Sequence, residues 1–271
     1  MAAMVEESPK IVLFIIDPQN DFHPGGSLGI NGANEDSQRT ADLIRDNLKS
    51  ISNIYISLDS HHRTHIAHGI VWQDANGNSP GPFTTISNED VENGIWKPRD
   101  PKLLDHCKFY TKALEEKGRF KLTIWPEHCL IGTSGHAVEK TLNSALQEWA
   151  GANLANIHYV MKGSNCLVEM YSAIGAEVEI KADPSTCINQ NLLHHLKGAD
   201  KLIICGQALS HCVNYTTRDI VNNWEGDFSK ICVLVDACSP VAGFEESANK
   251  FIEDMKAAGV TITTCAEVFN L

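Results

Sequence analysis

Short apolar runs recur along the chain and alternate with stretches of helical periodicity. Continuous apolar runs are typical of strands that are covered on both faces of a sheet. The runs that we interpret as strands are residues 11–16, 54–58, 122–124, 157–161, 202–205, 231–235 and 260–264.

Between some of these runs, apolar side chains recur three or four positions apart, as on one face of a helix. The stripes are Val138, Leu142, Ala145, Leu146 and Trp149, then Val213, Ile220, Val221 and Trp224, and finally Ala248, Phe251, Ile252 and Met255. This alternation predicts an α/β fold with a mainly parallel sheet and helices on both of its faces. The sequence contains no clear linker or repeat, so we interpret residues 1–271 as one domain.

One long segment breaks this rhythm. Residues 59–101 show little periodicity and are rich in Gly, Pro, Asn and His. A long irregular segment inside a compact domain is usually functional or disordered. We therefore expect an insertion around residues 60–101 that serves as a lid or as an oligomer contact.

Charge and cysteine content narrow the range of partners. The net charge of −12 argues against nucleic acid or an anionic membrane surface, because both require basic patches. No apolar run is long enough to span a bilayer, and the acidic residues 1–8 lack the apolar core of a signal peptide. Nine cysteines without a CxxC pair indicate a reduced, cytoplasmic protein.

Reactive side chains follow several of the predicted strands. In an open parallel sheet, ligands bind beyond the carboxyl ends of the strands, so side chains at those ends are expected to converge. The residues at these positions are Asp17, Asp59, His61, Trp125, His128, Lys162 and Cys212.

Cys212 follows residues 202–205 by a short turn and begins the next predicted helix. Free N–H groups and the helix dipole at that position favour a thiolate. The alternative is a buried structural cysteine. We interpret Cys212 as a nucleophile.

Beside such a thiol, Asp17 and Lys162 could both take part in catalysis. The aspartate can accept the thiol proton and later deliver it to a leaving amine. The lysine can hold the thiolate and the aspartate in their charged forms. Taken separately, Asp17 could be a turn cap and Lys162 a surface group.

Asp59, His61 and His128 offer one carboxylate and two imidazoles. Such a set suits Zn²⁺, Fe²⁺ or Mn²⁺ with positions left open for water or substrate. His62, His65 and His68 are close in sequence, and each could be a further ligand, a neighbouring group or a surface residue.

Together these segments resemble the isochorismatase-like cysteine hydrolases and, within them, the nicotinamidase/pyrazinamidase branch. The resemblance extends from Ile11 to about Gly259. It rests on the motifs Asp17-Pro18-Gln19-Asn20-Asp21-Phe22, Gly25-Gly26-Ser27-Leu28, Asp59-Ser60-His61, Trp125-Pro126-Glu127-His128-Cys129, Lys162-Gly163, Tyr171-Ser172 and Gly206-x-Ala208-x-x-x-Cys212-Val213.

The resemblance implies a three-layer α/β/α sandwich around a mainly parallel sheet. It implies a nicotinamidase that converts nicotinamide to nicotinate and ammonia through a thioester on Cys212, using one divalent metal, with zinc first and iron or manganese as alternatives. It also implies a homo-oligomer. The implied site residues are the triad Asp17, Lys162 and Cys212, the metal ligands Asp59, His61 and His128, the substrate-binding Phe22, Trp125 and Tyr171, and an oxyanion hole from the N–H groups of Ala208 and Cys212 beside a cis Gln207–Ala208 peptide.

Two departures from the family pattern leave alternatives open. Leu209-Ser210 stands where small nicotinamidases usually carry Thr-Asp, and the interval from His61 to His128 is longer than in those enzymes. One alternative is another amidase or carbamoyl hydrolase that acts on a non-pyridine substrate. The other is a catalytically silent homologue that serves as a binding protein.

Overall fold

The strands form one six-stranded parallel sheet and two short antiparallel ribbons in a computed structural model that describes residues 9–271. The prediction about residues 1–8 lies outside this range. The strands are β1 (Ile11–Ile16), β2 (Ile51–Asp59), β3 (Trp72–Gln73), β4 (Thr85–Ile86), β5 (Lys97–Pro98), β6 (Leu122–Thr123), β7 (His158–Lys162), β8 (Lys201–Gly206), β9 (Ile231–Leu234) and β10 (Thr261–Thr263). The order in the large sheet is β10-β9-β8-β1-β2-β7.

Helices cover this sheet and connect its strands. They are α1 (Ala33–Asp46), α2 (Asn88–Glu92), α3 (Leu104–Lys117), α4 (Lys140–Asn153), α5 (Gln190–Lys197), α6 (Cys212–Asn223) and α7 (Glu245–Ala258). The strand order runs in opposite directions from β1, so right-handed crossovers put α1 and α4 on one face and α6 and α7 on the other. The predicted α/β sandwich around a mainly parallel sheet is confirmed. No helix within residues 9–271 is both long and apolar enough to cross a membrane.

The core is centred on β1, the strand between the two halves of the sheet. All six of its residues are buried, in keeping with a strand that is covered on both faces. The fully buried Trp149 of α4 packs against this core, and its indole Nε1 donates to the carbonyl oxygen of Ile51, 3.1 Å away. The wide apolar surface of this indole is thereby buried while its only donor remains satisfied.

One predicted strand belongs elsewhere. We expected residues 122–124 to join the parallel sheet, but β6 pairs antiparallel with β4 in a ribbon outside it. The run is too short to cross a sheet, and its Leu122 packs opposite Ile86 instead. Residues 59–101 are also less irregular than expected, because they contain three short strands and α2. The other six predicted strands are confirmed in the parallel sheet.

The strand order reverses between β1 and β8, which leaves a crevice beyond their carboxyl ends. Ile16 and Gly206, the last residues of the two strands, are partners in register. Gly206 has φ +115°, and a Cβ added there would lie 2.1 Å from the carbonyl oxygen of Ile16. Only glycine allows the two strand ends, and therefore Asp17 and the loop to Cys212, to approach so closely.

Gly206→Ala should therefore destabilise the fold, by about 3 kcal/mol, because a methyl group would collide with backbone that cannot move away. Gly151→Ala is a matched control: Gly151 lies in α4 with no heavy atom near its added Cβ, so alanine should stabilise by about 0.5–1 kcal/mol. Denaturant unfolding measures both changes. Wild-type stability in Gly206→Ala would contradict the close approach.

Candidate active site

Four strands of the large sheet deliver polar side chains to one edge. Asp17 directly follows β1, Asp59 ends β2, Lys162 ends β7 and Cys212 lies beyond β8 at the start of α6. Asp59 and Lys162 are register partners on neighbouring strands. The sheet therefore brings these four residues together, as the positions of the predicted strands implied.

The Lys162 ammonium lies at the centre of this group and is 2% exposed. Its Nζ atom is 2.9 Å from Asp17 Oδ2, 3.0 Å from Asp59 Oδ1 and 3.6 Å from Cys212 Sγ. It also donates to the carbonyl oxygen of Met170, 3.1 Å away. Burial opposes the charge, but the two carboxylates outweigh it and raise the pKa of Lys162 well above its ordinary value. Lys162 is therefore a permanent buried cation.

Asp17 is fully buried and held from two sides. The Ser57 hydroxyl donates to Oδ1 at 2.6 Å, while Oδ2 faces the Lys162 ammonium without the alignment of a hydrogen bond. Burial raises the pKa of Asp17 above its usual value, although Lys162 opposes that shift. A raised pKa makes the Asp17 carboxylate a stronger base, which suits it to accepting and returning a proton.

The Cys212 thiol differs from our expectation of a thiolate. It is 6% exposed, and this burial raises its pKa well above the ordinary value, while Lys162 opposes the shift and Asp17 and Asp59 add to it. The predicted effect of the helix N-terminus is outweighed because the thiol lies in a desolvated pocket beside two carboxylates. The resting group is a neutral thiol that needs a base.

Next to this group, His61 and His128 contact Asp59, and a third histidine lies beside them. Asp59 Oδ2 lies 3.0 Å from His61 Nε2 and 3.2 Å from His128 Nε2. His68 is the third: ring nitrogens of His61, His68 and His128 lie within 4.8 Å of one another. Although burial opposes ionisation of Asp59, His61 and Lys162 hold its pKa well below the usual range.

Hydrogen bonds on the far side orient all three rings. Each Nδ1 atom lies close to a backbone carbonyl oxygen, which can only accept, so Nδ1 carries a proton, and Nε2 has a lone pair whenever the ring is neutral. For His61, His68 and His128 these oxygens belong to Gly163, Arg63 and Pro126, at 3.0, 3.1 and 2.8 Å respectively. Nε2 of His68 is buried without a partner among residues 9–271.

In neutral rings these Nε2 atoms are acceptors, and those of His61 and His128 face Asp59 Oδ2, which is also an acceptor. A cation is the group that would satisfy these atoms together with the nearby ring nitrogen of His68. One carboxylate and up to three imidazoles form a donor set that suits Zn²⁺, Fe²⁺ or Mn²⁺. The side chains in this part of the chain fit a divalent transition metal.

The other two neighbouring histidines do not join this set. His65 uses both ring nitrogens, one with the carbonyl oxygen of Val168 at 3.0 Å and the other with the N–H of Ala67 at 3.2 Å. His62 is exposed. Sequence reasoning left His62, His65 and His68 as equal candidates, and the geometry selects His68.

A small cavity connects the thiol with the histidines. Phe22, Trp125 and Tyr171, the residues that the resemblance assigned to substrate binding, line it, and the Trp125 indole donates to the Tyr171 hydroxyl at 2.9 Å. Asp59, His61, His128, Ala208 and Cys212 line it as well. The sequence had not indicated four further lining residues, namely Leu28, Glu169, His211 and Val241.

The loop before Cys212 presents backbone N–H groups to this cavity. The Gln207–Ala208 peptide is cis, as expected. Within the described part of the chain, the N–H groups of Ala208 and Cys212 donate to no acceptor, whereas the Ala208 carbonyl oxygen accepts from His211 at 3.0 Å and from Val213 at 3.1 Å. The two free donors are those that the resemblance assigned to an oxyanion hole.

Gln19 is a positioning residue that sequence reasoning missed. Its side-chain amide donates to the carbonyl oxygen of Asp59 and accepts from the Asp59 N–H, both at 2.7 Å. This pair of bonds fixes the backbone that carries the Asp59 carboxylate. The available signal was a glutamine two residues after a strand-end aspartate, which is compatible with any turn.

Similarities to known proteins agree with this fold. The Isochorismatase domain family matches residues 163–267. The chain is 27% identical over 260 residues to the nicotinamidase of Escherichia coli K12, an alignment that covers 96% of this chain and 97% of that protein. The structure resembles an Acinetobacter baumannii nicotinamidase/pyrazinamidase, with a TM-score of 0.64, 23% identity and coverage of 97% of this chain and 99% of that one.

A pyrazinamidase from Pyrococcus horikoshii, solved in complex with zinc, has a similar fold. Its TM-score is 0.58 at 19% identity, and the match covers 94% of this chain and 99% of that one. The similarities therefore extend over nearly the whole chain.

Proposed function

We infer that this chain, an isochorismatase-like hydrolase of the nicotinamidase branch, converts nicotinamide to nicotinate and ammonia. It is an enzyme that hydrolyses an amide bond. One observation supports the choice of substrate: a single cavity is lined by the Cys212 thiol and by His61 and His128. Asp59 also lines it and connects the two sides, with Oδ1 on Lys162 and Oδ2 on His61 and His128. A pyridine ring that carries a carboxamide has one group for each side.

The reaction begins with the neutral Cys212 thiol. Asp17 accepts its proton as the sulfur attacks the carboxamide carbon, and Lys162 stabilises the developing negative charge. The N–H groups of Ala208 and Cys212 donate to the tetrahedral oxyanion. Ammonia then leaves with the proton from Asp17, and a thioester remains on Cys212. Water, deprotonated by Asp17, attacks the thioester, the C–S bond breaks to release nicotinate, and the sulfur takes a proton back from Asp17.

Asp59, His61, His68 and His128 would hold a divalent metal, with zinc as the first choice and iron or manganese as alternatives. The zinc complex of the Pyrococcus horikoshii relative supports this choice. When bound, the ion would supply a Lewis-acid contact for the pyridine nitrogen and so fix the position of the ring. Phe22, Trp125 and Tyr171 enclose the ring, and orientation brings the carboxamide to Cys212.

Neither alternative explains the whole site. A non-pyridine amide or a carbamoyl group has no use for the histidine cluster. A silent binding protein has no use for a buried ammonium beside a thiol and two carboxylates. Burying such charges is costly, so we expect them where a function needs them. Each alternative leaves one of these groups of side chains without a role, whereas a pyridine carboxamide uses both.

The cellular setting is part of the proposal. All nine cysteines are free thiols in the structure, which suits a reducing cytoplasm. The net charge of −12 fits a small-molecule enzyme that does not engage nucleic acid or membranes. The resemblance to the family supports one hydrolase domain over residues 1–271. It also supports a homo-oligomer of this chain.

Ammonia release from nicotinamide tests the reaction. The wild type should release ammonia, and Cys212→Ala should lower the rate by about 10³-fold or more because no other group can form the thioester. Cys187→Ala is the control, since it removes a thiol that does not line the cavity with Cys212. A wild type that leaves nicotinamide intact, or a Cys212→Ala variant with near-normal activity, would overturn the proposal.

Metal binding tests the role of His68. Zinc titration after chelation should give about one site in the wild type, and His68→Ala should weaken that site by at least tenfold because one imidazole is lost. His62→Ala removes an exposed imidazole from the same segment and should bind as the wild type does. Unchanged affinity in His68→Ala would exclude His68 as a ligand, and failure of the wild type to bind would exclude zinc.

A further inference from the structure

The wall of the cavity formed by Tyr171 has little secondary structure of its own. Residues 163–189 contain one short 3₁₀ turn, Pro184–Thr186, and no α-helix or strand. Backbone ladders therefore do not fix the position of Tyr171, which depends on the side chains packed behind it. Those side chains come largely from α3 and from the connection between α3 and β6.

Phe120, in the connection between α3 and β6, lies against the Tyr171 ring. The two ring centroids are 4.5 Å apart, and Phe120 is also 5.3 Å from Tyr215. Tyr171 and Tyr215 are stacked at 5.8 Å with an interplanar angle of 20°. With its hydroxyl bonded to Trp125, Tyr171 is held at one end by a hydrogen bond and from behind by two rings.

Arg119, in the connection between α3 and β6, contacts helix α6. It forms an ion pair with Asp219, lies 3.4 Å from Glu177 Oε2, and places its guanidinium 5.5 Å from the centre of the Tyr215 ring. Tyr215 and Asp219 are spaced i, i+4 and share one face of α6, the helix that begins with Cys212. The connection between α3 and β6 is thus tied to the helix of the proposed nucleophile.

Helix α3 also forms hydrogen bonds with the segment that contains Tyr171. The Tyr110 hydroxyl accepts from the N–H of Glu169 at 2.7 Å, and the Glu169 carbonyl oxygen accepts from the N–H of Glu177 at 3.1 Å. Lys117 Nζ donates to the carbonyl oxygen of Glu177 at 2.6 Å. Helix α3 therefore supports residues 169–177 from outside the cavity.

We propose that Phe120 is a specificity-determining positioning residue, which sets the width of the ring slot by fixing Tyr171 from behind. This inference rests on the proposed function. It gives the connection between α3 and β6 the role of supporting the substrate pocket, although Phe120 does not contact the reacting atoms. The ring size of the amide that enters would then depend on this connection as well as on the cavity lining.

Steady-state kinetics with nicotinamide and the bulkier quinoline-3-carboxamide test this role. In Phe120→Ala, KM for nicotinamide should rise about tenfold while kcat changes less than about threefold, because the ring is held loosely but Asp17, Lys162 and Cys212 are intact. The ratio of kcat/KM for the bulky amide to that for nicotinamide should increase at least about tenfold. This ratio does not depend on how much of the enzyme is folded.

Phe109→Ala is the matched control, because it removes a ring that is 51% exposed from the same helix region and should leave the ratio unchanged. If Phe120→Ala fails to fold, Phe120→Leu should move the ratio in the same direction by a smaller amount. Wild-type activity on nicotinamide with an unchanged ratio in the Phe120 variants would overturn this inference and leave the proposed function intact. A wild type without activity on nicotinamide would overturn both.

Discussion

The Lys162 ammonium is the interaction on which the rest of the site depends. It is the buried cation between Asp17, Asp59 and Cys212, at 2.9, 3.0 and 3.6 Å from their nearest atoms. Two carboxylates buried this deeply could not both stay ionised without it, since desolvation would force protons onto them. Lys162 is also linked to the histidines through Asp59, because the second oxygen of that carboxylate faces His61 and His128.

The burial of Asp17, Lys162 and Cys212 limits how a proton can move between them. Burial keeps the Cys212 thiol neutral and raises the pKa of Asp17, so transfer of the proton from one to the other leaves the net charge of the buried group unchanged. A preformed thiolate would add a third negative charge to a desolvated site with one cation. The chemistry that suits this pocket is therefore attack coupled to proton transfer.

Much of this could be predicted from sequence, because strand ends in a parallel sheet meet at one edge. That rule brought Asp17, Asp59, Lys162 and Cys212 together correctly. It was wrong for residues 122–124, since an apolar run does not reveal which partner it pairs with. Local spacing could not distinguish His68 from His65, as the choice depends on which carbonyl oxygens lie behind each ring. The raised pKa of Cys212 and the packing of Phe120 on Tyr171 are tertiary properties without a local signature.

The most direct test of the account is the pH dependence of alkylation at Cys212, followed by mass spectrometry of its peptide. Because burial and Asp17 raise the thiol pKa and Lys162 lowers it, the wild-type thiol should titrate above the ordinary range. Asp17→Asn should lower that pKa, and Lys162→Met should raise it further. Opposite shifts in the two variants would establish that the three residues form one electrostatic unit. Shifts of the same sign, or none, would contradict the central place of Lys162 in this site.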